Sequence, residues 1–460
     1  MAGFRGRELE DEFLGIAREL GGDVASRAAG DDYLAQTHAL YHGGPLSWAM
    51  SPKIFDDAQV ALLTDAAETM GRIMDKVTAR YLEDADFRAR FRLSPELEAL
   101  TLVPTGYEQL IPLARVDVFL NEDTGDYRFC ELNTDGSAGM TATVEVTRAI
   151  QQTETYRRFA ERHPHIETFD VVEGAIGALL DTYAEWTRGP LAVAGAPETP
   201  TVALVDYTES ASVDEVADFV ERLATRGVTA RFADIRELHV SLEGGRERLC
   251  DAMGPVDCVY RRAVTSEIAE KPCPGADALA DAAARGLAAV IGGFRTWPTA
   301  TKTIFAVLHS DAVADVLTAD ELAFVRAHVP ETHLLDASSD LAPYAEKDRW
   351  IAKPAGSYNS QGVVCGMDCE TDAAWQEALA ATAASGGVVQ AYASQFFTPT
   401  IVGGHLPEGA DPLDFRPASN MEGLYLFRGR FGGVFTRCGY EHVIGEWTHR
   451  LNMGCLVVHE

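Results

Sequence analysis

Lysine is scarce in this chain: of 39 basic residues only six are lysine, at positions 53, 76, 271, 302, 347 and 353. Basic residues of any kind are outnumbered by 70 acidic ones, leaving a formal charge of -31. Nucleic acid and anionic membranes both require a basic footprint that displaces counterions, so neither is an expected partner. Cationic or metal-bound ligands suit this charge better, although most of the carboxylates are expected to be plain solvated surface. No run of 18 apolar residues occurs, which excludes an ordinary membrane-crossing helix. The opening MAGFRGRELEDEF lacks the apolar stretch of a secretory signal. Eight cysteines (130, 250, 258, 273, 365, 369, 438 and 455) include no CxxC pair, which argues against a zinc site and against a disulfide framework. A reducing cytosol, and so a cytoplasmic protein, is the expectation. His163 and His165 form an HxH pair without companion ligands and read as surface. GxGxxG and the Walker loop are both absent, and no Ser/His/Asp or Cys/His set offers a nucleophile.

What is present is a chain of 460 residues, 47% hydrophobic, enough for two or three domains. Residues 1–110 read as helices; LLTDAAETMGRIMDKVTARYL has apolar positions at helical spacing, with Asp65 as a candidate cap. Strands begin at 111, helical character returns after 140, and a Gly/Pro-marked linker at 188–200 closes the 111–200 segment. Residues 201–294 carry a strand–helix–strand rhythm (TVALVDY, VDEVADFVERLATRG, VTARFADI, VDCVYRR), a small Rossmann-like layer. From 295 to 460 helices alternate with strands such as DRWIAKPA and GGVVQAYAS. The segment 403–418 reads as a loop, and LYLFRGRFGGVFTRCGY reads as a hairpin turning near Gly432.

The chemistry concentrates in ARVDVFL and RFCELNTDG. Alternation puts Arg115, Asp117 and Phe119 on one strand face, and Phe129, Glu131 and Asn133 on one face of the next. A turn centred on Thr124, within NEDTGD, sets Asp117 opposite Glu131 and Arg115 opposite Asn133. Like charges facing across a ladder are destabilising, more so when half buried, so a cation is expected between them. Asp117, Glu131 and the Asn133 carbonyl form a hard-oxygen set that suits magnesium, and the Arg115 fork suits a phosphate oxygen. The bland alternative is a solvent-facing strand. Lys353, in WIAKPAGSYNSQGV, ends a strand before a flexible turn containing Gly356, Ser357, Ser360 and Gly362, where an ammonium and backbone amides could hold phosphate. Lys302 opens a helix after FRTWPTAT. GGVVQAYAS could offer its backbone to an adenine edge beside Tyr392, or be a core strand.

Taken together, RxD at Arg115–Asp117, ExN at Glu131–Asn133, the lysine of ATKTIFAVL, the lysine of IAKP with its glycine-rich loop, and VVQAY resemble the circularly permuted ATP-grasp ligases. Within that family the likeness is to the synthetase domain of glutathionylspermidine synthase. In this order the lysines follow the metal carboxylates, as in the permuted family. The resemblance implies an α/β (α+β) fold, a circularly permuted ATP-grasp with a Rossmann-like pre-ATP-grasp domain, using ATP and Mg2+. It implies that Asp117, Glu131 and Asn133 hold magnesium, that Arg115 contacts the transferred phosphate, and that Lys302 and Lys353, with the Gly356, Ser357 and Gly362 loop, bind ATP phosphates. Gln390, Ala391 and Tyr392 would hold adenine, and Arg437 would lie near the phosphates. No stretch matches the family's amidase domain, and its glutathione and polyamine contacts are not matched.

The implied reaction is amide formation through an acyl phosphate from a small-molecule carboxylate and an amine. Thr134, Asp135, Ser137 and Thr141 follow the metal strand and could approach the acceptor carboxylate, whereas Glu209 could meet a cationic amine. Each is otherwise a turn or cap residue. A phosphotransferase acting on a small molecule and a non-catalytic nucleotide-binding regulator are the alternatives, and a homodimer stays open beside a monomer.

Overall fold

The computed structural model describes residues 4–41, 43–193, 195–354, 362–445 and 449–460. Its largest sheet has eight strands, with Trp48–Asp56, Leu451–Val458, Arg430–Gly439, Arg416–Phe427, Leu113–Leu120 and Tyr127–Asn133 side by side in that order. Strands from the two ends of the chain thus lie side by side at one end of this order, and the hairpin Leu113–Asn133 forms the other. All neighbours along this order are antiparallel except Trp48–Asp56, which runs parallel to Leu451–Val458. The N-terminal region read as helical therefore also supplies a strand. Every residue of WAMSPKIFD is buried, so it shows none of the alternation that marks a one-sided strand. Its Pro52 falls where the register shifts, at a bulge that requires no ladder donor.

The helix Asp57–Glu83 covers one face of this sheet. It starts earlier than the sequence periodicity suggests, because Asp56 rather than Asp65 caps it, in a reciprocal capping box with Gln59. Leu63, Met70, Ile73 and Val77 pack against Val116, Val118, Leu424 and Val434, each fully buried side chain stabilising by about 1.5–3 kcal/mol. The late hairpin turns at Arg428 and Gly429, with Phe427 paired to Arg430. Both turn residues have positive φ, the two-residue geometry that matches strand twist, so the turn precedes Gly432.

A second sheet is all parallel, in the order Thr229–Asp234, Thr201–Asp206, Cys258–Arg261, Ala289–Ile291. Helix Val171–Trp186 packs on one face and helix Pro274–Arg285 on the other, which is why its strands are nearly continuous apolar runs. A third, antiparallel sheet of four strands follows, in the order Thr332–Leu334, Val388–Ala391, Trp350–Lys353, Val364–Cys365. Helix Asp372–Ala384 covers it through Trp375 and Leu379. No helix among the described residues is long and apolar enough to cross a membrane, and all eight cysteines are free thiols.

A charged cluster lies buried beside the large sheet. Lys53 Nζ donates to Glu122 and lies 3.2 Å from Glu10 Oε1, while both carboxylate oxygens of the buried Glu422 lack a hydrogen-bond partner. Burial pushes the carboxyls of Glu10 and Glu422 up from 4.5 to about 8, with neighbouring carboxylates adding to the shift and Lys53 opposing it. A carboxyl raised in the folded state binds a proton that unfolding releases. The stability of these two groups is therefore full below about pH 4.5 and is lost as pH rises through about 8. Glu422→Gln is expected to flatten the fall in melting temperature across this window, whatever its effect on the absolute value. A variant whose melting temperature falls with pH as steeply as the parent's would show that the cluster does not govern it.

Candidate active site

The strands Leu113–Leu120 and Tyr127–Asn133 pair with Arg115 opposite Asn133 and Asp117 opposite Glu131, the register read from the turn. One feature departs from simple alternation. Val118 pairs with Phe129, leaving Cys130 as an extra residue in a bulge. The bulge turns Phe129 into the core with Val116 and Val118 while Glu131 faces a cleft. Cys130 is also given a use, since its carbonyl accepts a hydrogen bond from Lys353 Nζ at 3.2 Å.

The cation beside Asp117 is supplied by the protein. Arg115 donates to both carboxylate oxygens, from Nε at 2.7 Å and Nη2 at 3.1 Å. Arg437 Nη2 donates at 2.5 Å and Asn133 Nδ2 at 3.1 Å. Asp117 is wholly buried. Burial alone would raise its carboxyl, but the two guanidiniums hold it below its ordinary value. Space for this pairing comes from Gly423, opposite Asp117 on the neighbouring strand, where a Cβ would lie 2.6 Å from Arg115 Cδ and 2.9 Å from Asp117 Oδ1. A glycine inside the strand NMEGLYLF was the available signal, and the sequence reading passed over it.

Between the large sheet and the small antiparallel sheet lies a cleft of about 890 Å3, its open mouth included. Glu131, Lys302, Lys353, Ala391, Tyr392 and Arg437 all line it. Lys302 stands at the start of helix Thr303–Leu308. Gln390 is a positioning residue: its Oε1 accepts from Lys353 Nζ at 2.6 Å while its Nε2 donates to Thr332 Oγ1 at 2.9 Å. Burial lowers the affinity of Lys353 for its proton, and the charge of Lys302 pushes the same way. Two ammoniums lining one cleft favour an anion within it. Arg437 reaches Asp117 through one nitrogen, and its buried Nε has no hydrogen-bond partner.

No protein-family model matches the chain, and no curated protein matches it. Solved structures do. A glutathione synthetase-like effector from Globodera pallida, in apo form, matches over 94% of this chain and 96% of its own, with TM-score 0.61 and 11% identity. The two chains share a mixed α/β fold. A gamma-glutamylcysteine synthetase-like protein from Methylobacillus flagellatus KT covers 85% of this chain and 88% of its own at TM-score 0.40 and 11% identity. A D-cycloserine synthetase covers 56% and 91% at TM-score 0.27 and 15% identity. These last two are too different in shape to carry an argument, and at such identities likeness speaks for fold alone.

On this frame several residues singled out in the sequence lie away from the cleft wall. Arg115 is spent on Asp117 and on the Ala138 carbonyl at 2.7 Å, so it orients Asp117 instead of facing a phosphate. Asp135 is buried and accepts from Arg261, from Thr265 N at 2.7 Å and from Thr296 Oγ1 at 2.9 Å. With Thr134 bonded to Thr296 O, it clamps the hairpin to the parallel sheet and is committed to these protein donors. Ser137 donates to Asn133 O, and Thr141 donates to Asp218 from its hydroxyl and to Glu215 from its backbone. Glu209 is exposed and ion-paired to Arg236 and Lys271. The N–H groups of Ala391 and Tyr392 are already given to Glu331 O and Arg349 O, so an adenine edge would be met by carbonyls or by residues beyond. Gly356 and Ser357 lie outside the described residues. Gly362 has positive φ and precedes Val363, which lines the cleft.

Asp117→Ala leaves two buried guanidiniums without their anion and is expected to cost about 3–5 kcal/mol in urea melts. Glu131→Ala is expected to stay within about 1 kcal/mol of the parent. Equal losses would contradict the division between a charge clamp and a cleft-facing carboxylate.

Proposed function

We propose that the chain is an ATP-dependent carboxylate–amine ligase of the circularly permuted ATP-grasp kind, forming an amide through an acyl phosphate. The observation that carries this reading is the convergence of Glu131, Lys302, Lys353 and Arg437 in one cleft between two sheets. The permuted order is supported by the hairpin preceding both lysines in the chain, and the all-parallel sheet between them suits the Rossmann-like domain. The synthetase-like description of the Globodera protein agrees with ligase chemistry.

The donor set fits a magnesium–nucleotide. Glu131 supplies a carboxylate and Asn133 the amide oxygen left when its Nδ2 is given to Asp117, a number of protein ligands that magnesium usually accepts. Asp117 would join them only by exchanging Arg437. The ion, when bound, would offset charge on the phosphoryl oxygens. Lys302 and Lys353 bind the phosphates, and Ala391 and Tyr392 lie along the adenine. Arg437 replaces Arg115 as the residue that meets the transferred phosphoryl group. Arg115 retains Asp117 through two bonds, so Arg437 can turn to a phosphate without leaving that carboxylate unpaired. The substrate carboxylate attacks the γ-phosphorus as the bond to ADP breaks, and the amine nitrogen then displaces phosphate from the acyl carbon. No side-chain nucleophile is required.

The test supplies ATP and Mg2+ with amino acids, short peptides and polyamines, singly and in pairs. ADP and free phosphate are expected only when a carboxylate and an amine are both present, with Glu131→Ala reducing turnover by about 10³-fold or more. ADP formed with a single acceptor and no free phosphate would indicate phosphate transfer instead. ATP bound but never turned over would indicate a regulator. Activity of Glu131→Ala within a few-fold of the parent would sink the site assignment.

A further inference from the structure

We propose that Cys365, Asp368 and His442 form a binding site for a zinc-class divalent ion at the rim of the cleft, separate from the nucleotide's magnesium. One donor atom from each of the three residues lies within 4.8 Å of the others. Cys365 ends the strand Val364–Cys365 and is buried, and Asp368 closes the tight turn Gly366–Asp368. His442 comes from the loop that follows Arg430–Gly439, 74 positions from Asp368. No pairwise motif could have shown this set, which is why cysteine spacing argued against a zinc site.

Both sides of the set are held in place. Gly366 packs so tightly on Lys347 that a Cβ would lie 2.0 Å from Lys347 O, and this fixes the turn carrying Cys365 and Asp368. The His442 carbonyl accepts from Gln395 Nε2 at 2.7 Å, and its ring meets Tyr392 edge-on with centroids 6.1 Å apart. His442 Nδ1 lies 2.5 Å from Asp368 Oδ1. An ion pair accounts for those two groups but gives the adjacent thiol no part.

Thiolate, imidazole and carboxylate together select zinc-like ions over magnesium or calcium, and three protein ligands leave a fourth position for water. Asp368 and His442 are 46% and 41% exposed at their side chains, which gives the ion a path of entry. Burial keeps Cys365 a neutral thiol, pushed up to about 11, while no ion is bound. Binding forms the sulfur–metal bond, releases the thiol proton to solvent and replaces the Asp368–His442 hydrogen bond with two coordinate bonds. The ion would tie the small sheet to the loop whose Val443 and Ile444 line the cleft.

The probe is Co2+, added to the full chain after chelator treatment and dialysis. One equivalent is expected to bind with a thiolate-to-cobalt charge-transfer band that Zn2+ abolishes. Cys365→Ser should remove the band. His442→Ala, at a half-exposed position where folding is not at stake, should weaken binding by more than the roughly 10–100-fold that losing an outer partner costs. Cys369→Ser should retain it, because that thiol is directed at the Cys365 carbonyl, 3.8 Å away. Absence of the band in the parent, its survival in folded Cys365→Ser or in His442→Ala, or its loss in Cys369→Ser would overturn the site and leave an Asp–His pair beside a buried thiol. Neither ATP nor Mg2+ enters this measurement, so its outcome is independent of the ligase reading.

Discussion

The structure turns on one buried carboxylate shared by two arginines. Asp117 is removed from water entirely, a state that costs several kcal/mol for an isolated ion and is tolerated only when its lone pairs are met. Arg115, two residues away on the same strand, meets them through a planar fork. Arg437 arrives from 320 positions later in the chain. Between their strands stands the one that carries Gly423, whose missing side chain leaves room for the pairing. The early hairpin and the late hairpin are thereby held in one register, because a slip of one residue would leave three charged groups buried without partners.

That arrangement also decides what faces the cleft. With Asp117 neutralised, Glu131 is the carboxylate presented to Lys302 and Lys353, with Arg437 also on the cleft wall and Arg115 behind it. Cations outnumber carboxylates here, in a chain whose formal charge is -31. Such a local reversal of sign focuses a polyanion on this place and away from the acidic surface. Away from it, around Lys53, carboxylates outnumber cations, and Glu10 and Glu422 respond by holding their protons more tightly. The same low dielectric produces both outcomes, and the sign of the excess charge determines which occurs.

How much of this was legible depended on whether the interaction was local. The turn NEDTGD fixed the hairpin register by counting, and the structure has the pairs Asp117–Glu131 and Arg115–Asn133 as counted. The need for a cation beside Asp117 was also legible from charge alone. Its identity was not, because Arg437 becomes a neighbour only through strand order. The bulge at Cys130 was hidden for a related reason: alternation assumes an unbroken ladder, and nothing in RFCELN marks the extra residue. Asp135 reads as a turn residue beside the strand Tyr127–Asn133 until the parallel sheet brings Arg261, Thr265 and Thr296 onto it. The strand Trp48–Asp56 is buried on both faces and so carries no period to read.

The links that cross between the sheets differ in strength, and this separates a rigid body from a lobe. The large sheet and the parallel sheet are joined through Asp135, buried against Arg261, Thr265 and Thr296, and through Glu215, which accepts from Gly139 N at 2.9 Å and from buried Arg262 at 2.8 Å. Breaking either would strand a buried charge at a cost of about 3–5 kcal/mol. Among the polar links joining the small sheet to the body are Lys353 on the Cys130 carbonyl, the half-exposed Asp368–His442 pair and the exposed Arg92–Asp336 pair, contacts worth about 1 kcal/mol or less when water can replace them. Local opening follows the weakest set of contacts. Any closure over a ligand in the cleft would then be carried by the small sheet, with Glu131 and the Arg115–Asp117 pair standing still as the fixed jaw.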